Sequence, residues 1–457
     1  MSEVRVLAPN GVIGSGFLES SFEKGLSLEP HVIACDGGST DTGAATLGSG
    51  ESHFSRAATK RDLQLMIKGR DRLGVPLIVG SCGNSGSDIG LDWMRDICLE
   101  IAEEEGLRFR LALVRSEQDK EYLKRRLREG RIKPLEPAPE LHEGVIDRSA
   151  HIVGMMGTEP ISKALDEGAE VVFCGRSSDT ALFSCVPERM GAPAGPSWHA
   201  GKILECGTAC TIQRRRPDGV FAWIQDDHFV VEPLDSNARC TPQSVASHSL
   251  YENADPFFIT EPGGVLDISA ATYDAVDDRA VRVRGSKFQV ADTYTVKLEG
   301  AEFAGYQSVI IGSIRDPFII RQLDSWLANL RDGFASRVEE IFGGKVSQED
   351  YMLVIRVYGK NGTMGSLEPT VEAQPHEVCL LFELTTPDDE TGRSLATTLS
   401  HFALHNPIPE WHGLISTIAY PFAPAELHKG PAYRFNMNHV VEPEDPLEMF
   451  RFEYMEV

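Results

Sequence analysis

Positive charge is scarce in this sequence. Its 457 residues include 44 Lys and Arg against 68 Asp and Glu, which gives a formal net charge of −24. A strongly negative field repels the phosphates of nucleic acids and of anionic lipids. We therefore expect neither a nucleic-acid partner nor a membrane surface as partner. An anionic substrate would need locally positive groups at its binding site.

Long apolar segments and paired cysteines are missing as well. No run approaches the roughly 18 apolar residues of a membrane-spanning helix. The first residues, with Val4 and Val6, already form a strand pattern instead of a signal peptide. Nine dispersed cysteines indicate reduced thiols and a cytoplasmic location, not a disulfide framework. Cys206 and Cys210 would supply half of a zinc site, but no second close pair accompanies them.

What is present is ordinary globular material, with 42% hydrophobic and 25% charged residues. Over the first 220 residues, short apolar strands alternate with turns and amphipathic helices. This succession predicts an α/β fold. We expect a mostly parallel sheet with helices on both faces in the N-terminal part, plus a smaller α+β C-terminal domain. The expected segments are 1–220, a mixed β-rich and helical extension over 221–344, and the α+β domain over 345–457.

Four turns that follow predicted strands are rich in Gly, Ser, Thr and Asn: 10–16, 36–43, 80–88 and 175–179. In open parallel sheets, ligands bind beyond the carboxyl ends of the strands. Glycine lets backbone N–H groups approach an anion closely, so together the turns predict one anion-binding pocket. The alternative is that each turn uses ordinary turn and cap residues. The predicted substrate-binding residues are Asn10, Gly11, Gly14, Gly37, Gly38, Ser39, Thr40, Ser81, Gly83, Asn84, Ser85, Asp88, Arg176 and Ser177.

Acidic side chains in and near these turns are the candidates for proton transfer. Asp36, Asp41, Glu159 and Asp179 would act as acids and bases, while turn amides and Arg176 hold a developing oxyanion. A competing interpretation has the same aspartates bind a divalent metal ion for hydrolysis. Asp88 and Asp179 have a simpler alternative role as helix caps. For Arg176 the alternative is a salt bridge to one of the acids.

Two further constellations have both functional and structural interpretations. His401 and His405 lie four apart on a predicted helix, with Glu410 and His412 after it, as a metal pair requires. The Glu that follows the first His in zinc-protease helices is absent, which favours partly buried polar histidines. The segment 223–228 could hold a general base at its histidine, although a polar hairpin turn is favoured.

A linked series of motifs runs through the middle of the chain: Gly157-Thr158-Glu159-Pro160-Ile161, Gly168-Ala169-Glu170-Val171-Val172, Gly175-Arg176-Ser177-Ser178-Asp179, Gly201-Lys202-Ile203-Leu204-Glu205-Cys206-Gly207, Leu250-Tyr251-Glu252, Asp255-Pro256 and Leu266-Asp267. The series resembles the acyclic terpene utilisation (AtuA-like) family over roughly residues 1–340. The resemblance adds Glu205 to the candidate catalytic residues. It implies catabolism of acyclic terpenes through CoA thioesters.

The chain departs from the family pattern at two turns of the predicted pocket. Ser15-Gly16-Phe17 stands where the family usually has an aspartate close after the first turn. The second turn, 35–41, also differs from the family's usual sequence. Since both departures lie at the pocket, we expect a different substrate from that of the terpene-degrading members.

The sequence contains no phosphate P-loop, no nucleophile elbow and no clear dinucleotide fingerprint. This leaves non-redox acid/base chemistry, of the hydration, isomerisation or lyase type, on a small carboxylate or an acyl-CoA thioester. No cofactor is firmly indicated, and a divalent metal ion belongs to the hydrolase alternative. A second alternative is a non-catalytic subunit or scaffold of a catabolic enzyme complex. We expect a homo-oligomer.

Overall fold

The computed structural model describes residues 3–370, 374–410 and 416–457. The chain divides into two compact units. Unit 1 comprises Met1–Glu302 and Arg434–Val457, and unit 2 comprises Phe303–Tyr433. Residues 221–302 thus belong to the same unit as the first 220, while the expected three-segment division stays a prediction. Within the described ranges, no helix is long and apolar enough to cross a membrane.

The strands are, in chain order, β1 Val4–Ala8, β2 Val32–Asp36, β3 Leu77–Gly80, β4 Arg110–Arg115, β5 Ile132–Pro134, β6 Ser149–Gly154, β7 Val171–Cys174, β8 Val220–Ile224, β9 His228–Pro233, β10 Phe258–Glu261, β11 Gly264–Asp267, β12 Thr272–Ala275, β13 Val281–Arg284, β14 Lys287–Val290, β15 Val296–Ile314, β16 Met352–Tyr358, β17 Val378–Thr386, β18 Glu426–Val441 and β19 Arg451–Glu456.

The α-helices are α1 Glu19–Ser27, α2 Ala44–Ser49, α3 Arg56–Leu73, α4 Asp88–Glu105, α5 Lys120–Arg128, α6 Glu143–Arg148, α7 Thr158–Asp166, α8 Asp179–Arg189, α9 Ala194–Leu204, α10 Pro242–His248, α11 Pro317–Arg321, α12 Leu323–Phe342 and α13 Asp389–Leu404. Two short 3₁₀ helices span Gly207–Cys210 and Gly365–Leu367.

Unit 1 is built on a mixed sheet of ten strands in the order β12-β13-β9-β8-β1-β2-β3-β7-β4-β19. Its centre, from β1 to β4, is parallel. The strands outside this centre pair antiparallel at both ends of the sheet. The expectation of a mostly parallel sheet was therefore correct only for the centre. A connection as short as the one between β8 and β9 can join neighbouring strands only when they are antiparallel.

That connection, residues 225–227, is the predicted polar hairpin turn. Ile224 stands opposite Phe229 in the antiparallel register, which confirms the hairpin. His228 lies at the start of β9 and its Nδ1 is 2.7 Å from Asp227 Oδ1.

The central strands are buried on both faces. All five residues of β2 are buried, and alternate side chains point to opposite sides of a strand. Val32 and Ala34 join one core, with residues of α7, α8 and α9. Ile33 and Cys35 join the other core, with residues of α1, α3 and α4. Helices therefore cover both faces of the sheet, as predicted, and the continuous apolar strands follow from that double burial.

Unit 2 is itself composed of helices and antiparallel strands. Here the residues of β15 from Tyr306 onward pair with β17, which also pairs with β16. The core of the unit contains Trp326, Leu330 and Phe334 of α12 together with Leu395 and Leu399 of α13. The apolar spacing on these helices places one face of each in the core.

A close backbone contact at Gly83 shapes the turn that follows β3. Gly83 has a φ of +71°, and a Cβ atom there would overlap the Cα of Gly90 on α4. A non-glycine residue in the left-handed region costs about 1–3 kcal/mol. We expect Gly83→Ala to lower the free energy of unfolding by more than this amount, because the added Cβ also overlaps Gly90. Gly106→Ala is the control, because its φ is +66° and nothing lies within 4 Å of its added Cβ. Equal losses in urea denaturation would contradict the role of the contact.

Candidate active site

A cavity of about 650 Å³ lies in unit 1, where the turns after β2, β3 and β7 come together. Asp36 ends β2, Asn84 follows β3, and Asp179 follows β7. The structure thus brings three of the four glycine-rich turns to one place through these residues, and the first turn joins them through Gly11 and Ser15. The lining residues are Gly11, Val12, Ser15, Asp36, Gly38, Ser39, Asp41, Thr42, Phe54, Asn84, Asp179, Glu205, Cys206, Thr208, Arg214, Arg215, Arg216, Pro217, Asp218, Tyr251 and Glu252.

Asp36 is a buried carboxyl group at the end of its strand. Its Oδ2 accepts a hydrogen bond of 3.1 Å from the Gly38 N–H, whereas its buried Oδ1 has no hydrogen-bond partner among the described residues. Burial and the nearby Asp179 carboxylate raise the pKa of Asp36 well above its usual value, against the opposing effect of Arg176. These surroundings therefore favour the protonated form of Asp36.

Asp179 begins α8, where Ser178 caps the helix by accepting a hydrogen bond from the Ala181 N–H. Ser178 therefore caps the helix, although the sequence allowed that role for Asp179. Asp179 Oδ1 has no hydrogen-bond partner in the described ranges and lies 3.6 Å from Arg176 Nη1. Burial raises the pKa of Asp179 to about 7; Arg176 opposes this shift and Glu205 adds to it. The carboxyl group therefore exchanges its proton near neutral pH.

Arg176 is buried and is not among the residues that line the cavity. Its Nε donates a 2.7 Å hydrogen bond to Glu299 Oε2, and its Nη1 donates to Ser81 Oγ at 3.1 Å. Burial alone would raise the pKa of Glu299, but Arg176 and Lys297 lower it to about 2. Arg176 is thus a buried salt-bridge partner, as the alternative interpretation held. Its main partner, Glu299 on β15, is one that the sequence did not indicate.

A second buried ion pair, between Lys202 and Glu205, lies near Asp179. Lys202 Nζ donates a 2.6 Å hydrogen bond to Glu205 Oε1, and Thr180 Oγ1 donates to Glu205 Oε2 at 2.9 Å. Glu261 accepts a 2.6 Å hydrogen bond from Ser178 Oγ. Burial raises the pKa of Glu205, and it raises that of Glu261 to about 7. Glu205 and Glu261 thus both lie near the same cation, Lys202, and burial favours their protonated forms.

The first glycine-rich turn uses its amides internally. Asp62 on α3 is buried, and its Oδ2 accepts hydrogen bonds from the N–H groups of Gly14 and Gly16 at 2.9 and 3.0 Å. Asn10 Nδ2 donates to the same oxygen at 3.4 Å. Gly14 and Asn10 therefore bind a carboxylate of the chain itself in this structure. Within the turn, Gly11, Val12 and Ser15 are the residues that reach the cavity.

Several predicted binding residues do not line the cavity, and each of them contacts a partner within unit 1. The Gly37 carbonyl accepts a hydrogen bond from the Asn84 N–H, and Thr40 Oγ1 donates one to Glu299. The Ser177 and Ser81 hydroxyl groups each form a hydrogen bond with the backbone of the other residue. Gly83 packs on Gly90, and Ser85 Oγ donates to the Thr46 carbonyl. Gly38, Ser39 and Asn84 line the cavity itself.

Three of the predicted acids have different surroundings. Asp41 lines the cavity and is exposed. Glu159 does not line it; its Oε2 accepts a 2.8 Å hydrogen bond from Tyr294 Oη. Asp88 at the start of α4 pairs with Arg115 and Arg451, also away from the cavity lining.

Arg214, Arg215 and Arg216 all line the cavity, and sequence analysis did not select them. All three are exposed. A run of three arginines in a chain with net charge −24 is the signal that would have found them. By contrast, Asp62, Glu261 and Glu299 lie in an ordinary helix and in strands, where no local pattern marks them.

No group of three or more His, Cys, Asp or Glu side chains within the described ranges is placed to hold a metal ion. The divalent-metal alternative therefore lacks a preformed set of protein ligands there. The exposed rings of His401 and His405 lie 5.3 Å apart. His412, the further predicted ligand, lies outside the described residues.

The fold and the site together define the class of an α/β protein with acidic side chains around one cavity. Residues 84–213 and 220–419 match the family described as acyclic terpene utilisation family protein AtuA. The chain belongs to this family, which links it to acyclic terpene utilisation. Neither a curated protein nor a solved structure matches it. Asp36 and the segment 214–219 lie outside the matched ranges.

The buried position of Arg176 leads to a stability prediction. Arg176→Ala leaves Glu299 buried with Lys297 as its remaining cation and Thr40 as its hydrogen-bond donor, and breaking a buried ion pair costs about 3–5 kcal/mol. We expect that loss in chemical denaturation. The double variant Arg176→Met/Glu299→Gln should recover part of it, because no unpaired charge remains. Arg72→Ala, which removes an exposed pair with Glu23, should change stability little. An equally small effect of Arg176→Ala would contradict the structural role.

Asp179 makes stability depend on pH in a defined direction. Its pKa of about 7 in the folded protein lies above the about 3.9 of an unfolded aspartate. Its contribution to stability is therefore fully present below about pH 4 and is lost as the pH rises through about 7. Between pH 5 and 8, the unfolding free energy of the wild type should fall relative to that of Asp179→Asn. Parallel pH profiles in urea denaturation would contradict the raised pKa.

Proposed function

We propose that the chain is a catabolic enzyme of acyclic terpene utilisation that performs non-redox acid/base chemistry on a small carboxylate or an acyl thioester. The observation that supports it most is the pair Asp36 and Asp179. Both line one cavity, and each has a carboxyl oxygen without a hydrogen-bond partner among the described residues. Buried polar atoms are rarely left unpaired, so these oxygens are suited to meet a ligand.

The surroundings of the two carboxyl groups support two different roles in such a reaction. Asp179 loses its proton near pH 7, which suits a general base. Burial favours the protonated form of Asp36, and that form can donate a hydrogen bond to an oxygen on which negative charge develops.

The proposed step is removal of a proton from the carbon next to a carboxyl or thioester carbonyl. Asp179 accepts that proton, and the carbonyl oxygen becomes an enolate oxygen that Asp36 stabilises by its hydrogen bond. Return of the proton to another carbon gives isomerisation, whereas loss of a β-substituent gives elimination, the reverse of hydration. A cavity of about 650 Å³ has the size of a small-molecule site.

Exchange with solvent tests this step without knowledge of the final product. A panel of branched unsaturated carboxylates and their thioesters is incubated with the protein in D₂O, and deuterium on the α-carbon is followed by NMR. We expect exchange by the wild type, with kcat/KM rising as the pH increases through about 7 because Asp179 ionises. Asp179→Asn should reduce the rate about 10²-fold or more.

Two variants make the result specific. Asp36→Asn should lower the rate by about 10²–10³-fold through loss of oxyanion stabilisation. Asp96→Asn, at an exposed carboxylate on α4 away from the cavity, should leave the rate unchanged. Exchange that survives in Asp179→Asn would remove the base from the proposal. Absence of exchange and of turnover with the whole panel would favour the non-catalytic subunit.

A further inference from the structure

Three consecutive arginines, Arg214, Arg215 and Arg216, line the same cavity as the acids. They are exposed, whereas Asp36 and Glu205 are buried, so the arginines form its outer part. None of them forms an ion pair with a carboxylate of the described ranges, although the sequence offers 68 Asp and Glu. Like charges side by side repel one another, and an anion bound between them would remove that repulsion.

The loop that bears the arginines is fixed at both ends. Before them, Ile212 forms a bridge with Arg239, and Arg239 Nε donates a 3.1 Å hydrogen bond to Gln213. After them, Asp218 is buried and accepts hydrogen bonds from Ser21 Oγ at 2.6 Å and the Leu18 N–H at 3.2 Å. The guanidinium groups therefore extend from an anchored loop, and less ordering is needed when a ligand binds.

The number of donors favours phosphate over a single carboxylate. Each guanidinium carries five N–H donors in a planar fork, and one fork is enough for one carboxylate. Three forks together suit the several oxygens and the multiple charge of a phosphate or diphosphate group. The backbone N–H groups of Gly14 and Gly16 are not free for an anionic ligand, because they already donate hydrogen bonds to Asp62.

We infer that Arg214, Arg215 and Arg216 bind a phosphate or diphosphate group carried by the substrate, while its reacting end lies at Asp36 and Asp179. Only the placement of the reacting end at Asp36 and Asp179 rests on the proposed function. The three arginines lie between the two ranges that match the family, so the family match does not itself point to them.

Calorimetric titration with inorganic pyrophosphate tests the phosphate site independently of any chemistry. We expect the wild type to bind it, more weakly as salt increases. The triple variant Arg214→Ala/Arg215→Ala/Arg216→Ala should bind about 100-fold more weakly or not at all. A charge-matched control, Arg108→Ala/Arg284→Ala/Arg315→Ala, removes three exposed arginines away from the cavity. It should bind pyrophosphate nearly as the wild type does.

No binding by the wild type at millimolar pyrophosphate, or equal weakening in both triple variants, would overturn the inference. Asp179→Asn should retain pyrophosphate binding, so the phosphate site and the acid/base proposal can fail separately. The exchange assay then identifies the carrier of the phosphate. An acyl group on coenzyme A, which bears a diphosphate, should have a KM at least about tenfold lower than the same acyl group on N-acetylcysteamine.

That difference should vanish in the arginine triple variant with kcat unchanged, because uniform binding affects KM alone. Equal KM values for the two carriers in the wild type would show that a bound phosphate is not part of the substrate, and this too would overturn the inference.

Discussion

The buried ion pair between Arg176 and Glu299 is the interaction on which the arrangement of the cavity depends. Through it, the turn after β7 is tied to β15. Arg176 also bonds to Ser81 after β3, and Thr40 after β2 bonds to the other oxygen of Glu299. One pair thus links three turns that lie far apart in the sequence. Because a buried charge without its partner is very unfavourable, the three turns are held in a single arrangement.

The same pair also affects the pKa values of the neighbouring acids. Arg176 is engaged by Glu299 and Lys202 by Glu205, so the remaining buried acids have no cation of their own. Burial then favours the neutral form of Asp36 and raises the pKa of Asp179. The proposed acid/base chemistry rests on this unequal balance of buried charges.

Much of the fold, and part of the cavity, could be predicted from local sequence patterns. Asp36 and Asp179 follow continuous apolar strands, and such strands in a parallel sheet bring their carboxyl ends to one edge. The turns could therefore be expected to meet. Local patterns do not reveal partners that lie far apart in the chain, and Glu299 is 123 positions from Arg176. The antiparallel strand β19, which completes unit 1 next to β4, is likewise determined by tertiary pairing.

The sequence also did not indicate where the N–H groups of the first glycine-rich turn point. Their direction matters because it determines which groups of this acidic chain are free to bind an anion. The first turn has the glycines of an anion site, yet its N–H groups point at Asp62, which looks like an ordinary polar residue of α3. Within the described residues, the positive groups exposed in the cavity are instead the side chains of the arginine loop. A run of like charges on a surface usually indicates only solvation. Here it lines the cavity that also contains the acids, and for this reason we propose that carboxyl groups hold the reacting end of one ligand while the guanidinium groups hold its charged end.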